Sequence, residues 1–239
     1  MSSPDPLSYL NTIISKDFEA QRHRGAAKGP SEPLVVTVSR DYGAGGEEIA
    51  KKLAECLGTP MYDQEILERV AERAKIESYF FKPHDENVSA GVTTFLYSLL
   101  TGTTGDMQTY RRHLYDVILD LAKHDGLLIG RGAHLILRGK KCFRLRIVGS
   151  PKVCAERVAK ELSIPLTEAE QKVIEINDKR HKSIQNLFGD SFEHASLEFA
   201  QNFDLVLNTD HIAPERALPV VLMALRQAGF NLNKSTPAS

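Results

Sequence analysis

The sequence predicts an α/β fold in which a parallel sheet lies between two layers of helices. Short apolar segments rich in β-branched residues alternate with longer segments whose apolar residues recur at helical spacing. This alternation is typical of a parallel sheet that is covered on both faces. A glycine-rich turn follows the first apolar segment and opens a helix. With 239 residues, the chain is long enough for one such domain with an insertion or tails.

The composition indicates a globular protein and argues against several functional classes. Hydrophobic residues make up 42% of the chain, and the formal net charge is −1. Because this charge creates no strong field, we expect no nucleic-acid partner and no binding to an anionic membrane. No apolar run approaches the ~20 residues of a membrane span, and the first residues do not resemble a signal peptide. The three cysteines lack metal-binding spacing. We therefore expect a cytoplasmic protein with free thiols.

The first elements in chain order are a prefix, a strand and a helix. Residues 1–33 are expected to form a short amphipathic helix and a linker rich in Gly, Pro and Ala. The domain is expected over residues 34–228, followed by a tail over 229–239. It begins with a buried strand over 34–39 and a helix over 46–57, which Gly58 ends.

The turn between this strand and this helix has the architecture of a phosphate-binding loop. Its sequence is SRDYGAGGEE, beginning at Ser39. In the pattern GxxxxGK[ST], backbone N–H groups surround the phosphates, the Lys reaches the β and γ oxygens, and the hydroxyl holds Mg²⁺. If Gly45 is the second glycine of this pattern, the first glycine position falls on Arg40, the lysine position on Gly46 and the hydroxyl position on Glu47. The main-chain part of the site is retained, over Gly43, Ala44, Gly45 and Gly46, while the usual side chains are missing.

Two side chains of the loop have alternative interpretations. Arg40 is either a surface arginine that closes the strand or a phosphate contact that partly replaces the missing lysine. Glu47 favours the helix dipole but repels a triphosphate unless Mg²⁺ lies between them. Either Glu47 holds Mg²⁺ through water, or the loop binds a less charged ligand.

The remaining elements continue the alternation. An apolar, serine- and threonine-rich segment over 77–107 is expected to be a mobile insertion, and Gly126 is expected to end a helix. Ser150 and Pro151 are the expected cap and first position of one helix, and Thr167 the cap of the next. Further strands are expected over 60–63, 127–129, 143–148 and 203–208, and further helices over 66–74, 110–123, 153–162, 167–187 and 214–228.

Arg131 is the strongest candidate for a functional side chain. It follows a short buried strand directly and is flanked by Gly130 and Gly132. It therefore lies at the carboxyl end of a strand, where ligands collect in open α/β sheets.

Five segments together resemble the cytidylate kinase-like family of P-loop proteins. In order, they are VSRDYGAGGEEIAKKLAECLG, MYDQEILERVAERA, LLIGRGAHLILRG, FRLRIVGSPKVCAERV and FDLVLNTD. The resemblance covers roughly residues 34–228. It implies a nucleoside monophosphate kinase fold with a phosphate loop, an acceptor-binding segment and an arginine-rich lid over about 151–190. It also implies transfer of the γ-phosphoryl group of ATP to CMP or a related monophosphate, with Mg²⁺.

The resemblance assigns acceptor contacts to the segment from Asp63 to Arg69. In cytidylate kinases an Asp is followed six residues later by an Arg that contacts the monophosphate. The alternative is structural, with Asp63 as a helix cap and Arg69 as the i,i+4 partner of Glu65. The family also continues the motif around Arg131 with an Asp that helps to recognise the nucleoside. Gly132 stands at that position here, which leaves preference for cytosine open.

The same resemblance assigns two lid arginines. Arg157 lies on the helix after Pro151, and Arg180 lies in the segment Asp178-Lys179-Arg180-His181-Lys182, where the family has an Asp followed by basic residues. A solvated helix face is the alternative for this segment. With Arg131, these arginines are the expected catalytic cations, because phosphoryl transfer is mostly positioning and charge neutralisation.

Three functions are consistent with the sequence. The first is an ATP-dependent kinase for CMP or dCMP. The second is a nucleotide-binding sensor without phosphoryl transfer, which the missing lysine and hydroxyl favour. The third is a kinase for another small metabolite. The sequence leaves the oligomeric state open.

Overall fold

The computed structural model describes residues 32–81 and 107–232. Of the helix and linker expected over residues 1–33, only residues 32 and 33 are described. Most of the insertion expected over 77–107 and the last residues of the tail also lie outside the described residues. No helix of the described residues is long and apolar enough to cross a membrane.

A five-stranded sheet in which every pairing is parallel forms the centre of the domain. Its strand order is β2-β3-β1-β4-β5. The strands are β1 (Val35–Arg40), β2 (Met61–Tyr62), β3 (Gly126–Ile129), β4 (Phe143–Val148) and β5 (Leu205–Asn208). The predicted α/β class and the parallel sheet are confirmed.

Helices alternate with these strands along the chain. They are α1 (Gly46–Leu57), α2 (Gln64–Phe81), α3 (Met107–Leu121), α4 (Ala133–Ile136), α5 (Pro151–Leu162), α6 (Leu166–Phe188) and α7 (Pro214–Gln227). A short 3₁₀ turn, Ala200–Asn202, precedes β5.

Each face of the sheet supports a separate apolar core, because successive side chains of a strand point to opposite faces. Val36 and Val38 of β1 belong to one core, together with side chains of α1, α5 and α7. Val35 belongs to the other, together with side chains of α2, α3 and α6. A fully buried Val or Leu contributes about 1.5–3 kcal/mol relative to exposure. Burial on both faces explains why β1 has buried residues at successive positions rather than an alternation of buried and exposed ones.

Several predicted boundaries differ from the observed ones. α2 continues to Phe81 and α3 begins at Met107, so both ends of the segment assigned to the insertion are helical. Gly126 is the first residue of β3 and does not end a helix, because the preceding helix stops at Leu121. Pro165, rather than Thr167, is at the cap position of α6, and no side chain caps that helix.

Other local predictions are confirmed. α1 has the predicted bounds, and Gly58 ends it in the left-handed conformation, with φ 59°. The Ser150 side chain accepts a hydrogen bond from the Val153 backbone N–H at the start of α5, and Pro151 is the first helical residue. These features depend on neighbouring residues alone, which is why the sequence predicts them.

The register of the central strands places the ends of β1, β3 and β4 together. Val38 pairs with Ile129 of β3, and Arg40 pairs with Ile147 of β4. The turn that follows β1 therefore adjoins the turn at Gly130 and the turn that follows β4. The candidate site is built from these three turns.

Candidate phosphate site at the glycine loop

The glycine loop is fixed between two helices. Gly43 and Gly45 both have positive φ, 81° and 73°. A Cβ atom added to Gly43 would lie 2.6 Å from the carbonyl oxygen of Cys154 in α5, and one added to Gly45 would lie 2.3 Å from Cγ of Pro214 in α7. Glycine is therefore required at both positions, by conformation and by close packing.

The loop has unpaired backbone donors at the beginning of α1. The backbone N–H of Tyr42 donates to Oδ1 of Asn177 at 2.8 Å, and that of Ala44 donates to the carbonyl of Asp41 at 3.3 Å. Within residues 32–81 and 107–232, the N–H groups of Gly45–Glu47 have no hydrogen-bond partner. Unpaired N–H groups and the helix dipole favour an anion at this position. The unpaired N–H groups lie at the predicted backbone site, and the binding of phosphate there stays a prediction.

Arg40 crosses the mouth of this loop. Its Nε donates to Oε1 of Glu47 at 2.9 Å, and its Nη2 donates to Oδ2 of Asp63 at 3.1 Å. The side chain packs directly on Gly46, where an added Cβ would lie 2.5 Å from Cβ of Arg40. An added Cβ on Gly130 would lie 3.1 Å from Nη1 of Arg40. Arg40 is therefore in the position from which a guanidinium can reach an anion on the loop, but two carboxylates already bind it.

Arg180 joins the loop from α6. Its Nη1 donates to the carbonyl oxygen of Arg40 at 2.9 Å, and its Nη2 lies 3.7 Å from Oε1 of Glu47. Its guanidinium also lies 5.9 Å from the ring centroid of Tyr42. Burial, followed by repulsion from Arg40, lowers the pKa of Arg180, although an arginine stays protonated at neutral pH. The alternative of a purely solvated helix face is wrong for Arg180.

Arg131 lies at the end of β3 in a rare backbone conformation. Gly130, Arg131 and Gly132 have φ values of 69°, 52° and 70°, so three consecutive residues are left-handed. For a residue with a Cβ atom this conformation costs about 1–2 kcal/mol, and such strain collects at functional sites. In the described part of the chain the Arg131 guanidinium has no ion-pair partner. Burial raises the pKa of Tyr110, and the positive charge of Arg131 acts against this rise.

Phe188 occupies the space next to Gly132. A Cβ added to Gly132 would lie 2.1 Å from Cε2 of Phe188, which is fully buried at the end of α6. No side chain fits at position 132 without moving that ring. The aspartate that cytidylate kinases carry here is therefore absent from the sequence and excluded by the packing.

Asp63 and Arg69, the two predicted acceptor contacts, are in different environments. Asp63 lies at the loop mouth and binds Arg40. Arg69 donates from Nε and Nη2 to Oε1 of Glu65, at 2.9 and 2.6 Å, and lies over the ring of Tyr62. The structure thus contains the i,i+4 pair of the structural alternative. The role of Arg69 as an acceptor contact stays a prediction.

Arg157 connects the glycine loop to the end of β5. Its Nη1 donates to Oγ1 of Thr209 at 2.9 Å and to the carbonyl of Gly43 at 3.4 Å, and its Nη2 donates to the carbonyl of Thr209 at 2.5 Å. Oγ1 of the buried Thr209 lies 3.0 Å from the carbonyl of Ala44. Arg157 thus holds the loop backbone in place, and its catalytic role stays a prediction.

A magnesium ion fits this site only in combination with phosphate. Among the described residues there is no group of three or more His, Cys, Asp or Glu that could hold a metal. Mg²⁺ in kinases is held by one or two carboxylates plus substrate phosphates. Two carboxylates lie beside the loop, those of Asp63 and of Glu47, which is 55% exposed. They match the one or two protein carboxylates that such a magnesium site uses.

Two further contacts of the loop are not among the predicted site residues. Asn177 lies three residues before Arg180, on the same face of α6, and this helical spacing was the available signal. Arg146 is buried in β4 and forms an ion pair with Asp41 of the loop, with 2.5 Å between Nη2 and Oδ1. A charged residue inside an otherwise apolar strand was the signal for this pair.

Comparisons with known proteins agree with the resemblance seen in the sequence. The model of the cytidylate kinase-like family matches residues 35–211. A cytidylate kinase from Pyrococcus horikoshii is 27% identical over 198 residues, which cover 82% of this chain and 90% of that protein. The crystal structure of an uncharacterized protein from Eubacterium ventriosum has a TM-score of 0.58 at 17% identity, covering 81% of this chain and 98% of that one. The last similarity concerns the fold alone.

Proposed function

The chain belongs to the cytidylate kinase-like family, and we propose that it transfers the γ-phosphoryl group of ATP to a nucleoside monophosphate of the CMP or dCMP type. The observation that carries this proposal is the juxtaposition of free loop N–H groups with the guanidinium groups of Arg40 and Arg180. Phosphoryl transfer requires positioning and neutralisation of charge more than covalent chemistry. This site offers both.

The donor phosphates lie on the loop in this proposal. The N–H groups of Gly45–Glu47 bind phosphate oxygens, and Arg40 and Arg180 neutralise their charge. Arg157 and Thr209 hold the loop backbone in the required shape. Mg²⁺, held by Glu47 or Asp63 together with phosphate oxygens, supplies further neutralisation when bound.

The acceptor approaches from the side of β2 and β3. Asp63 and Arg131 lie on that side of β1, because the strand order is β2-β3-β1-β4-β5. A phosphate oxygen of the monophosphate attacks the γ-phosphorus, and the bond from this phosphorus to the β,γ-bridging oxygen breaks. The products are ADP and a nucleoside diphosphate. The attacking oxygen is already deprotonated at neutral pH, so no side chain needs to act as a base, and Arg131 is assigned to charge neutralisation.

The test is turnover of ATP with Mg²⁺ and each nucleoside monophosphate in turn, followed as ADP formation. Turnover that requires CMP or dCMP supports the proposal. Turnover with none of the monophosphates contradicts it. ATP hydrolysis without an acceptor is subtracted as the blank.

A nucleotide-binding sensor is the alternative, and one observation favours it. Glu47 and Asp63 both bind Arg40. Part of the positive charge beside the loop is therefore already neutralised, and less of it can stabilise a transferred phosphoryl group. A sensor would bind ATP, seen as a rise in Tm, and would show no turnover with any monophosphate.

The packing of Phe188 against Gly132 favours a wider search for the acceptor, because the aspartate of cytidylate kinases cannot stand there. The acceptor panel should therefore include small hydroxylated metabolites. Turnover with one of these alone would leave the phosphotransferase assignment in place and replace the monophosphate as substrate.

A further inference from the structure

The outer surface of α7 is apolar where a surface helix is normally polar. Over residues 217–225 its sequence is ALPVVLMAL, which contains no charged or polar side chain. A helix that is apolar on all sides is normally buried, yet Pro219, Val220 and Met223 are exposed. We infer that this face of α7 binds the same face of a second copy of the chain, with the two helices antiparallel. This inference does not depend on the proposed reaction.

The opposite side of α7 already packs on the core of its own domain. Its buried residues recur every three or four positions and therefore share one side of the helix: Pro214, Ala217, Val221 and Leu225. Pro219 and Met223 differ by four positions and lie on the other side, away from the core. Single exposed apolar side chains are normal, whereas a contiguous apolar face marks an interaction site.

The charges at the two ends of this face are complementary under two-fold symmetry. Glu215 precedes the apolar run, Arg226 follows it, and both are exposed. They are eleven positions apart, which is about three helical turns, so they lie along the same side of α7. Their midpoint falls between Val220 and Val221, in the middle of the apolar run. In an antiparallel pair, Glu215 of each copy therefore faces Arg226 of the other.

The antiparallel arrangement brings no like charges together. Arg216 and Gln227 are also eleven positions apart, so Arg216 of one copy faces an uncharged amide of the other. A parallel pair would instead place each charge opposite its own equivalent, which is unfavourable. Within the described part of the chain, Glu215 and Arg226 take part in no ion pair. Both side chains can therefore pair with a second copy.

A second copy of the chain fits this face, because one surface then supplies both sides of the contact. The apolar centre meets an apolar centre, and each acidic end meets a basic end. α7 has 14 residues and is about 21 Å long, so a contact through this helix lies at the small end of interface sizes. We expect a reversible dimer with a Kd of about 10–100 µM.

The experiment is sedimentation equilibrium of the full chain at concentrations from below to above this Kd. Met223→Glu replaces a side chain that is 39% exposed and places a carboxylate in the centre of the contact. It should raise the dimer Kd about tenfold or more. Ile174→Glu is the matched control, because it makes the same charge change at an exposed apolar residue of α6. The control should leave the Kd unchanged.

Charge reversal tests the antiparallel arrangement itself. Glu215→Arg and Arg226→Glu each place like charges opposite one another, so each alone should raise the dimer Kd. Both substitutions in one chain restore opposite charges at both contacts and should restore the Kd. A mixture of the two singly reversed chains should also form a dimer, because both contacts of the mixed pair then join opposite charges.

A chain that is monomeric at every concentration would overturn the inference, and the face would then serve a partner other than a second copy. An unchanged Kd in Met223→Glu, or a Kd that the double reversal does not restore, would also overturn it. Circular dichroism and Tm measurements establish that each variant is folded, and Val220→Glu tests the same face if Met223→Glu is not. None of these measurements involves ATP turnover, so failure of this inference and failure of the proposed reaction are separate results.

Discussion

Replacing Glu47 by Gln is expected to strengthen binding of a metal-free triphosphate to the loop. Oε1 of Glu47 lies 2.9 Å from Nε of Arg40 and 3.7 Å from Nη2 of Arg180. Its negative charge offsets the two guanidinium groups and repels an incoming phosphate. The amide oxygen of Gln can accept the same hydrogen bond from Arg40, so the substitution removes the charge and retains the geometry.

The size of the effect follows from the distances and the exposure of Glu47. Two unit charges about 4 Å apart interact by about 1 kcal/mol in water and about 4 kcal/mol near a protein surface. Glu47 is 55% exposed, so the lower part of this range applies. We expect a gain of about 1–2 kcal/mol, which corresponds to about a 5–30-fold decrease in Kd.

The assay is calorimetric titration of inorganic triphosphate, which isolates the phosphate contacts. It is carried out once with EDTA and once with Mg²⁺. If Glu47 holds Mg²⁺, the gain seen in EDTA becomes a loss when the metal is present. Glu48→Gln is the matched control, because Glu48 makes the same charge change but pairs with Lys52, at 2.6 Å.

An unchanged or higher Kd for Glu47→Gln in EDTA would refute this reasoning. The same decrease in Glu48→Gln would also refute it, since the effect would then come from the net charge of the protein rather than from the contact with Arg40.

Three further predictions concern the turn at Arg131 and the core beneath it. Arg131→Ala should lower turnover about 10²–10³-fold, which is the effect of removing one charge-stabilising donor in other enzymes, and should leave Tm almost unchanged. Normal turnover in the folded variant would reject the assignment of Arg131 to charge neutralisation. Gly132→Ala should lower the free energy of unfolding, measured in urea, by about 2–4 kcal/mol, because the added Cβ would collide with Phe188 and because φ is 70° at this position. Adding Phe188→Leu to this variant should restore part of the lost stability. The absence of any restoration would contradict the packing argument. Burial, followed by repulsion from two nearby arginines, lowers the pKa of His134 from 6.5 to about 3, so the unfolded chain binds a proton that the folded chain rejects. The free energy of unfolding should therefore fall between pH 6.5 and pH 3 by up to about 1.4 kcal/mol per pH unit. When it is measured by urea unfolding at several pH values, it should depend less steeply on pH in His134→Phe than in the unmodified chain. The same pH dependence in both proteins would contradict the burial argument.

The elements that the sequence predicted are those that depend on neighbouring residues. β1 and α1 follow from an apolar run, a glycine turn and a helical apolar face, and α5 begins where Ser150 and Pro151 specify a cap. The segment over 77–107 was less well predicted at its ends, because the residues there lack a clear helical apolar pattern. Pro83 and Gly105 lie two residues beyond the observed ends of α2 and α3 and were the available signals.

The residues along the chain were sufficient to predict the α/β class, the position of the glycine loop and the placement of Arg131 at a strand end, because strand and helix periods and glycine turns act over short distances along the chain. The pairing of the charges follows instead from the tertiary fold. Arg180 contacts the carbonyl of Arg40 across 140 positions, and Arg146 pairs with Asp41 across 105. Such pairs depend on which strands become neighbours and on which helix covers them. They decide how much positive charge remains free for a ligand.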